Sequence, residues 1–209
     1  MIEFFNNGGP VMYPLLACSI ITLTVIIERT IFWIKVGMHY HQGIIDEILT
    51  LSQTADWGAI REKTAGSKNY IVRTLISGIL HRDYSMIKAM ESAASDEIRK
   101  MKTYMGILDT MITVAPLLGI FGTVIGIIAS FDMLGAGIDH PEAVTGGIAQ
   151  ALITTAAGLG IAILTVFPYN YFTLKTEQAA LLIEKYATSL EIVYEKLGRE
   201  SEKQRGANR

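Results

Sequence analysis

Thr123, Thr154, Thr155 and Gln150 are the residues that first invite a chemical question, because all four stand inside long stretches without charge. A threonine hydroxyl in hydrocarbon either bonds a carbonyl of its own helix or offers its oxygen to a cation or to water. A glutamine amide needs partners within a helix bundle or contact with water, and unlike a carboxylate it cannot take up a proton. The polar side of these segments is therefore expected to line a cavity or meet a partner helix. Small residues recur beside them. Gly119, Gly122, Gly126 and Ser130 mark one segment, and Gly147, Ala151, Thr155 and Gly158 mark one side of the other, so two helices are expected to approach closely there.

Other chemistry is thin. There is no nucleophile and base pair, phosphate loop or metal cluster, which speaks against an enzyme and against a bound cofactor. His39 and His41 lack a Cys or acidic cluster in register, so no metal is expected. Cys18 is the single cysteine and lies in an apolar run, which rules out an internal disulfide. With 18 basic against 20 acidic residues, the overall charge points to no nucleic-acid partner.

The elements that must position these residues are membrane spans. Val11 to Ile27 is free of charge, and apolar character resumes after Glu28-Arg29 through Ile34. Met111 to Phe131 and Ala143 to Leu174 are likewise uncharged. At about 1.5 Å per residue each crosses a hydrocarbon core of about 30 Å. The expected layout is a short external N-terminus (1–10), a first span (11–34), a helical loop (35–105), a second span (106–134), an external hairpin (135–144), a third span (145–172), a helix (173–197) and a disordered tail (198–209).

Lys35 to Lys102 holds ten Lys and Arg and Lys175 to Arg209 seven, while the N-terminus and hairpin hold none. That bias places the loop and C-terminus in the cytoplasm and the N-terminus outside. Glu28 and Arg29 fall at the cytoplasmic boundary as expected interface anchors or as residues of assembly or the cytoplasmic bundle, and Asp109 is either a solvated helix residue or the cytoplasmic mouth of a path. Ile71, Leu75, Ile76, Ile79 and Leu80 form one helical stripe. Ile87, Met90, Ala94, Ile98, Met101 and Met105 form a second running into the second span, and Ala179, Leu182, Ile183, Tyr186, Leu190, Val193 and Leu197 form a third. The fold class is an all-α membrane protein with three transmembrane helices, the second and third extended into a cytoplasmic helical bundle.

Several blocks together resemble the MotA/TolQ/ExbB proton-channel family, and the length and three spans resemble its ExbB and TolQ branch. They are Pro14-Leu15, Ser19 and Glu28-Arg29; Ala115-Pro116-Leu117-Leu118-Gly119 to Gly126 with Ser130-Phe131; Gly147-Ile148-Ala149 through Thr155-Ala156 to Gly158-Leu159; and Tyr169-Asn170. The resemblance implies a homopentamer in the bacterial inner membrane, around a dimer of a single-span partner similar to ExbD or TolR. It also implies coupling of an ion gradient to an outer-membrane system. Thr123 and Thr155 match the family's pore-facing threonines. Gln150 departs from the family, which usually has Glu there, so a proton relay through that position is in doubt. Protons carried by water and the partner's carboxylate, or sodium assisted by Thr123, Thr154 and Thr155, both remain open. The competing reading is a membrane scaffold whose small-residue faces only pack.

Overall fold

The structure, a computed structural model, describes residues 8–135 and 141–207, with the side chains of 133–135, 141–144, 201, 202 and 204–207 outside the description. The expected hairpin and the first seven residues of the expected N-terminal segment therefore fall largely or wholly outside it. Among the described residues seven helices follow one another: α1 Met12–Met38, α2 Gln42–Gln53, α3 Trp57–Thr64, α4 Tyr70–Leu80, α5 Arg82–Lys102, α6 Met105–Gly135 and α7 Pro141–Ala207. Among the described residues, three helical stretches are long and apolar enough to cross a membrane: Met12–Met38, Arg82–Asp132 and Thr145–Glu200. The chain divides into two units. A span unit comprises residues 1–30 and 104–173, and a loop unit comprises residues 31–103 and 174–209.

In the span unit, Val11, Met12 and Leu15 of the first turns of α1 and the segment before it pack with Ala115 and Leu118 of α6 and Ala157 and Ile161 of α7. The outward side chains are apolar instead of polar. Leu23, Phe121, Ile128, Leu152, Leu164 and Phe167 are all exposed. Water would penalise so large an apolar surface, whereas lipid or neighbouring helices would not. Hydroxyls in these helices mostly close on their own turn, as Thr24 does on the Ile20 carbonyl (2.8 Å) and Thr165 on that of Ile161 (2.6 Å).

The second amphipathic stripe is interrupted before it reaches its last residue. Helix α5 ends at Lys102, and Tyr104 sits in the left-handed region (φ 63°) before α6 begins at Met105. A non-glycine residue pays for that conformation and keeps it only when its surroundings hold it. Here the Arg29 guanidinium lies over the Tyr104 ring, 5.5 Å from its centre. Arg29 also forms a fork on Glu28 (2.5 and 2.6 Å) and is 3% exposed. Stacking and pairing thus bury the Arg29 side chain within the span unit, and Glu28 remains half exposed.

The loop unit has its own core. Ile45 and Ile48 of α2, Ile60 of α3, Ile71, Val72 and Leu75 of α4, Met90 of α5, and Ile183 and Leu190 of α7 are fully or almost fully buried. Local chemistry starts the short helices: the Asp56 carboxylate accepts from the Ala59 amide (3.1 Å), and the Asn69 side chain from that of Ile71 (3.0 Å). Gly78 lets α4 lie against α5, since a methyl there would meet Met90 Cγ at 2.5 Å and Met86 Cγ at 3.0 Å. Tyr194 of α7 donates to the Arg82 carbonyl (3.1 Å), and Arg82 stacks on Trp57 at 5.4 Å.

The tail expected to be disordered is helical as far as Ala207. Its Glu, Lys, Gln and Arg residues are good helix formers, and Arg199 with Glu195 (3.4 Å) and Lys196 with Glu200 (4.0 Å) form pairs one turn apart. Residues 208 and 209 lie outside the description.

Burial, reinforced by the neighbouring Tyr40 and Tyr186 phenols, pushes the Tyr70 phenol up to about 12. The folded state therefore favours the neutral phenol. The resulting stabilisation is complete below the ordinary tyrosine range near 10 and is lost as pH rises through about 12. Replacing Tyr70 with Phe should remove the last step of the tyrosine ultraviolet titration and flatten the loss of stability over that window. An unchanged last step would assign it to another tyrosine.

Candidate functional site

The site begins with how closely α6 and α7 can approach. A methyl built on Gly119 would meet the Thr154 carbonyl and Thr155 Cα at 3.0 Å each, and one on Gly122 would meet Thr154 Cβ at 2.8 Å. On Gly126 it would meet Ala151 Cβ at 2.9 Å and the Gly147 carbonyl at 3.1 Å. From the other helix, Gly147 faces Ser130, and Gly158 faces the Ala115 carbonyl and Gly119 Cα. As numbers rise along α6 their partners fall along α7, so the helices are antiparallel and touch backbone to backbone over several turns. All the residues read as packing positions, Gly119, Gly122, Gly126, Ser130, Gly147, Ala151 and Gly158, lie in this one seam. Close approach of this kind replaces the hydrophobic drive that lipid cannot supply.

The four polar residues separate around the seam. Thr154 is 1% exposed, fills the notch at Gly122 and donates to the Ala151 carbonyl (2.7 Å), so its oxygen is spent inside the interface. Thr155, half-buried, donates across the seam to the Gly119 carbonyl at 2.9 Å. In an α-helix that carbonyl also receives the Thr123 amide, four residues on. Thr123, also half-buried, donates its hydroxyl to the Ile120 carbonyl (2.5 Å).

Which edge each polar residue occupies follows from the helical turn and from where α1 packs. The α1 cluster touches Leu118 on α6 and Ala157 and Ile161 on α7. At 3.6 residues per turn, Thr123 lies about 140° from Leu118, and Thr155 lies about 160° from Ala157. Both threonines thus stand at the seam's edge away from α1. Asp109, exposed, is fourteen residues before Thr123, about 21 Å along the helix and within about 40° of the same line.

Gln150 lies on the opposite edge. Its amide packs on Gly9, whose φ of +70° and lack of a side chain admit it; a Cβ there would overlap the amide nitrogen. It lines a cavity of about 440 Å³ with Gly8, Val11, Gly126, Ser130 and Gly147. The Ser130 hydroxyl bonds the Gly126 carbonyl at 2.9 Å. Sequence reasoning grouped Gln150 with the threonines because the helical repeat alone does not say which flank α1 covers. The structure puts them on different walls. It also brings in Gly9, which went unnoticed because a glycine ahead of a span has no periodic signal.

A pair of membrane-length helices locked at backbone distance, with threonines along one edge, defines a helical membrane protein built to hold polar groups at bilayer depth. Residues 67–185, more than half of the chain, match the MotA/TolQ/ExbB proton channel family, and the chain belongs to that family. It is a channel family, not an enzyme family.

Among the relatives, the biopolymer transport protein ExbB-like 3 of Synechocystis is 31% identical over 90% of this chain and 91% of its own length. ExbB-like 1 of the same organism is 33% identical over 93% of this chain and 79% of its own. The Tol-Pal system protein TolQ of Pseudomonas aeruginosa is 41% identical over 48% of this chain and 43% of its own. The relatives support the ExbB and TolQ branch.

The seam predicts a sharp contrast between glycines. Gly158→Ala should destabilise the purified chain by about 1–3 kcal/mol, because the added methyl meets backbone that cannot swing aside. Gly160→Ala, with nothing within 4 Å of the new methyl, should be neutral. Unfolding in lipid nanodiscs compares them, and equal effects would refute the seam.

Proposed function

We propose that this chain is the ring-forming, ion-conducting subunit of an energy-transducing motor in the bacterial inner membrane. Five copies surround a dimer of a single-span partner of the ExbD or TolR kind, whose transmembrane carboxylate exchanges ions with the threonine edge. The N-terminus faces outward, and the loop unit and C-terminal helix are cytoplasmic, in keeping with the bias of Lys and Arg. The partner's external part then delivers work to an outer-membrane transport or envelope-maintaining system. Relatives named for biopolymer transport and for the Tol-Pal system support that role.

The observation that carries this reading is the shared edge of Thr123 and Thr155, joined through the Gly119 carbonyl and turned away from α1. Two hydroxyl oxygens and a carbonyl on an otherwise apolar helix pair can stabilise a protonated water or a partly dehydrated cation beside a carboxylate. Asp109 on the same line serves as the cytoplasmic mouth. Thr154 acts as packing. Gln150 has no part in proton uptake, since an amide does not titrate in this range and it occupies the α1 flank. The proton is the favoured ion, with the partner's carboxylate as the titrating group.

Native mass spectrometry of the chain co-expressed with a neighbouring single-span, Asp-bearing protein tests the architecture. Five copies with two of the partner are expected. An intact preparation that yields a monomer or dimer indifferent to the partner would sink the motor and leave a packing scaffold. In the assembled complex, Thr155→Val should lower proton flux by about tenfold, the worth of one well-placed polar contact, without changing the subunit count. A loss seen only under a sodium gradient would reassign the ion.

A further inference from the structure

A second cavity, also of about 440 Å³, opens in the loop unit between the end of α3, the turn after it and α4. Its lining has an unusual charge balance. Arg61, Arg73 and His81 contribute to it, Ser67 and Ser77 bring hydroxyls, and no carboxylate takes part. Arg61 has no ion pair among the described residues. Arg73 reaches Glu97 at 3.2 Å, but Lys100 holds the same carboxylate oxygen at 2.8 Å, so Arg73 does not have that oxygen to itself. The His81 ring bonds the Ser77 carbonyl through Nδ1 (2.9 Å), which makes that nitrogen the donor and leaves Nε2 for another partner. Ile76 and Leu80 add apolar wall beside these groups.

We propose that this groove binds a phosphate-bearing anion attached to a small organic group. Guanidinium groups present paired donors that match phosphate oxygens, and Arg61, without an ion pair among the described residues, lines the same cavity as Arg73, whose carboxylate oxygen is shared, so such donors are available without breaking the fold's own ion pairs. The volume lies within the usual range of small-ligand sites and exceeds what a bare phosphate needs, and the apolar wall would receive the organic portion. The same headgroup chemistry could come from a soluble phosphate monoester or from an anionic lipid. This site is independent of the ion path and stands or falls without it.

The test uses the full chain in zwitterionic phosphatidylcholine nanodiscs, with glycerol 3-phosphate as the probe and phosphorus NMR line width as the readout. Saturable broadening is expected, weakened by about tenfold or more when Arg61 and Arg73 are both changed to Gln. Arg61→Gln alone should weaken it as well, and because Arg61 makes no ion pair, this variant separates binding from folding. Arg199→Gln, in the exposed last part of α7, should bind like the parent chain. No broadening in the parent, or equal broadening in the Arg61 and Arg73 variants, overturns the proposal. Repeating the titration in discs containing phosphatidylglycerol identifies the source. Loss of probe binding assigns the groove to a lipid headgroup, and unchanged binding assigns it to a soluble phosphate.

Discussion

The placement of Thr123, Thr154, Thr155 and Gln150 depends on the backbone contact between α6 and α7. In water, two helices this apolar would associate by hiding surface; in lipid they must gain from packing itself. The chain meets that constraint by removing side chains at Gly119, Gly122, Gly126, Gly147 and Gly158, so that carbonyls and Cα atoms become the contact surface. This closeness is what lets the Thr155 hydroxyl reach a carbonyl of another helix at 2.9 Å, when most hydroxyls nearby turn back to their own. If the helices stood farther apart, Thr155 would be another silent, self-bonded threonine.

The same contact sorts the polar residues by role. A seam with no room for a methyl has two edges, and α1 covers one of them through Val11, Met12 and Leu15. Gln150 falls on the covered edge, where Gly9 gives its amide a place. Thr123 and Thr155 fall on the other. An amide at membrane depth needs enclosure, because its desolvation is costly without partners, whereas a hydroxyl already bonded within the bundle can stand at an open edge at little cost. Position 150 thus belongs to the flank that α1 covers, apart from the edge that carries the two threonines.

Much of this was legible in the residues, and the physical reason is periodicity. Small residues every fourth position can only make a stripe along one side of a helix, so the seam is legible in the sequence, and uncharged runs of span length leave few alternatives in folding. What periodicity cannot supply is the third body. The flank α1 occupies depends on Leu118, Ala157 and Ile161, ordinary apolar residues without any distinguishing pattern. The break at Thr103-Tyr104 was hidden for a similar reason: no Pro or Gly marks it, and it is held by Arg29, more than seventy positions away in sequence. The helical tail was missed in the opposite sense. Absence of apolar residues speaks against burial, but it does not prevent a helix whose charged residues pair along its own surface.

Why threonine, and not a stronger polar residue, suits the open edge follows from magnitudes. Interhelical hydrogen bonds of side chains in membranes average only about 0.6 kcal/mol, because polar groups find other partners when the helices part. The Thr155 bond is thus a small part of what holds α6 to α7; the backbone seam, present over several turns, dominates. A residue that contributes little to assembly can give up its bond to the Gly119 carbonyl without loosening the pair. A carboxylate at the same place would bring a charge that costs at least about 2.5 kcal/mol at bilayer depth and would tie the edge to one protonation state. The division of labour is then physical: the glycines supply the close contact, and the threonines at the edge keep oxygens that are only weakly committed to holding the helices together.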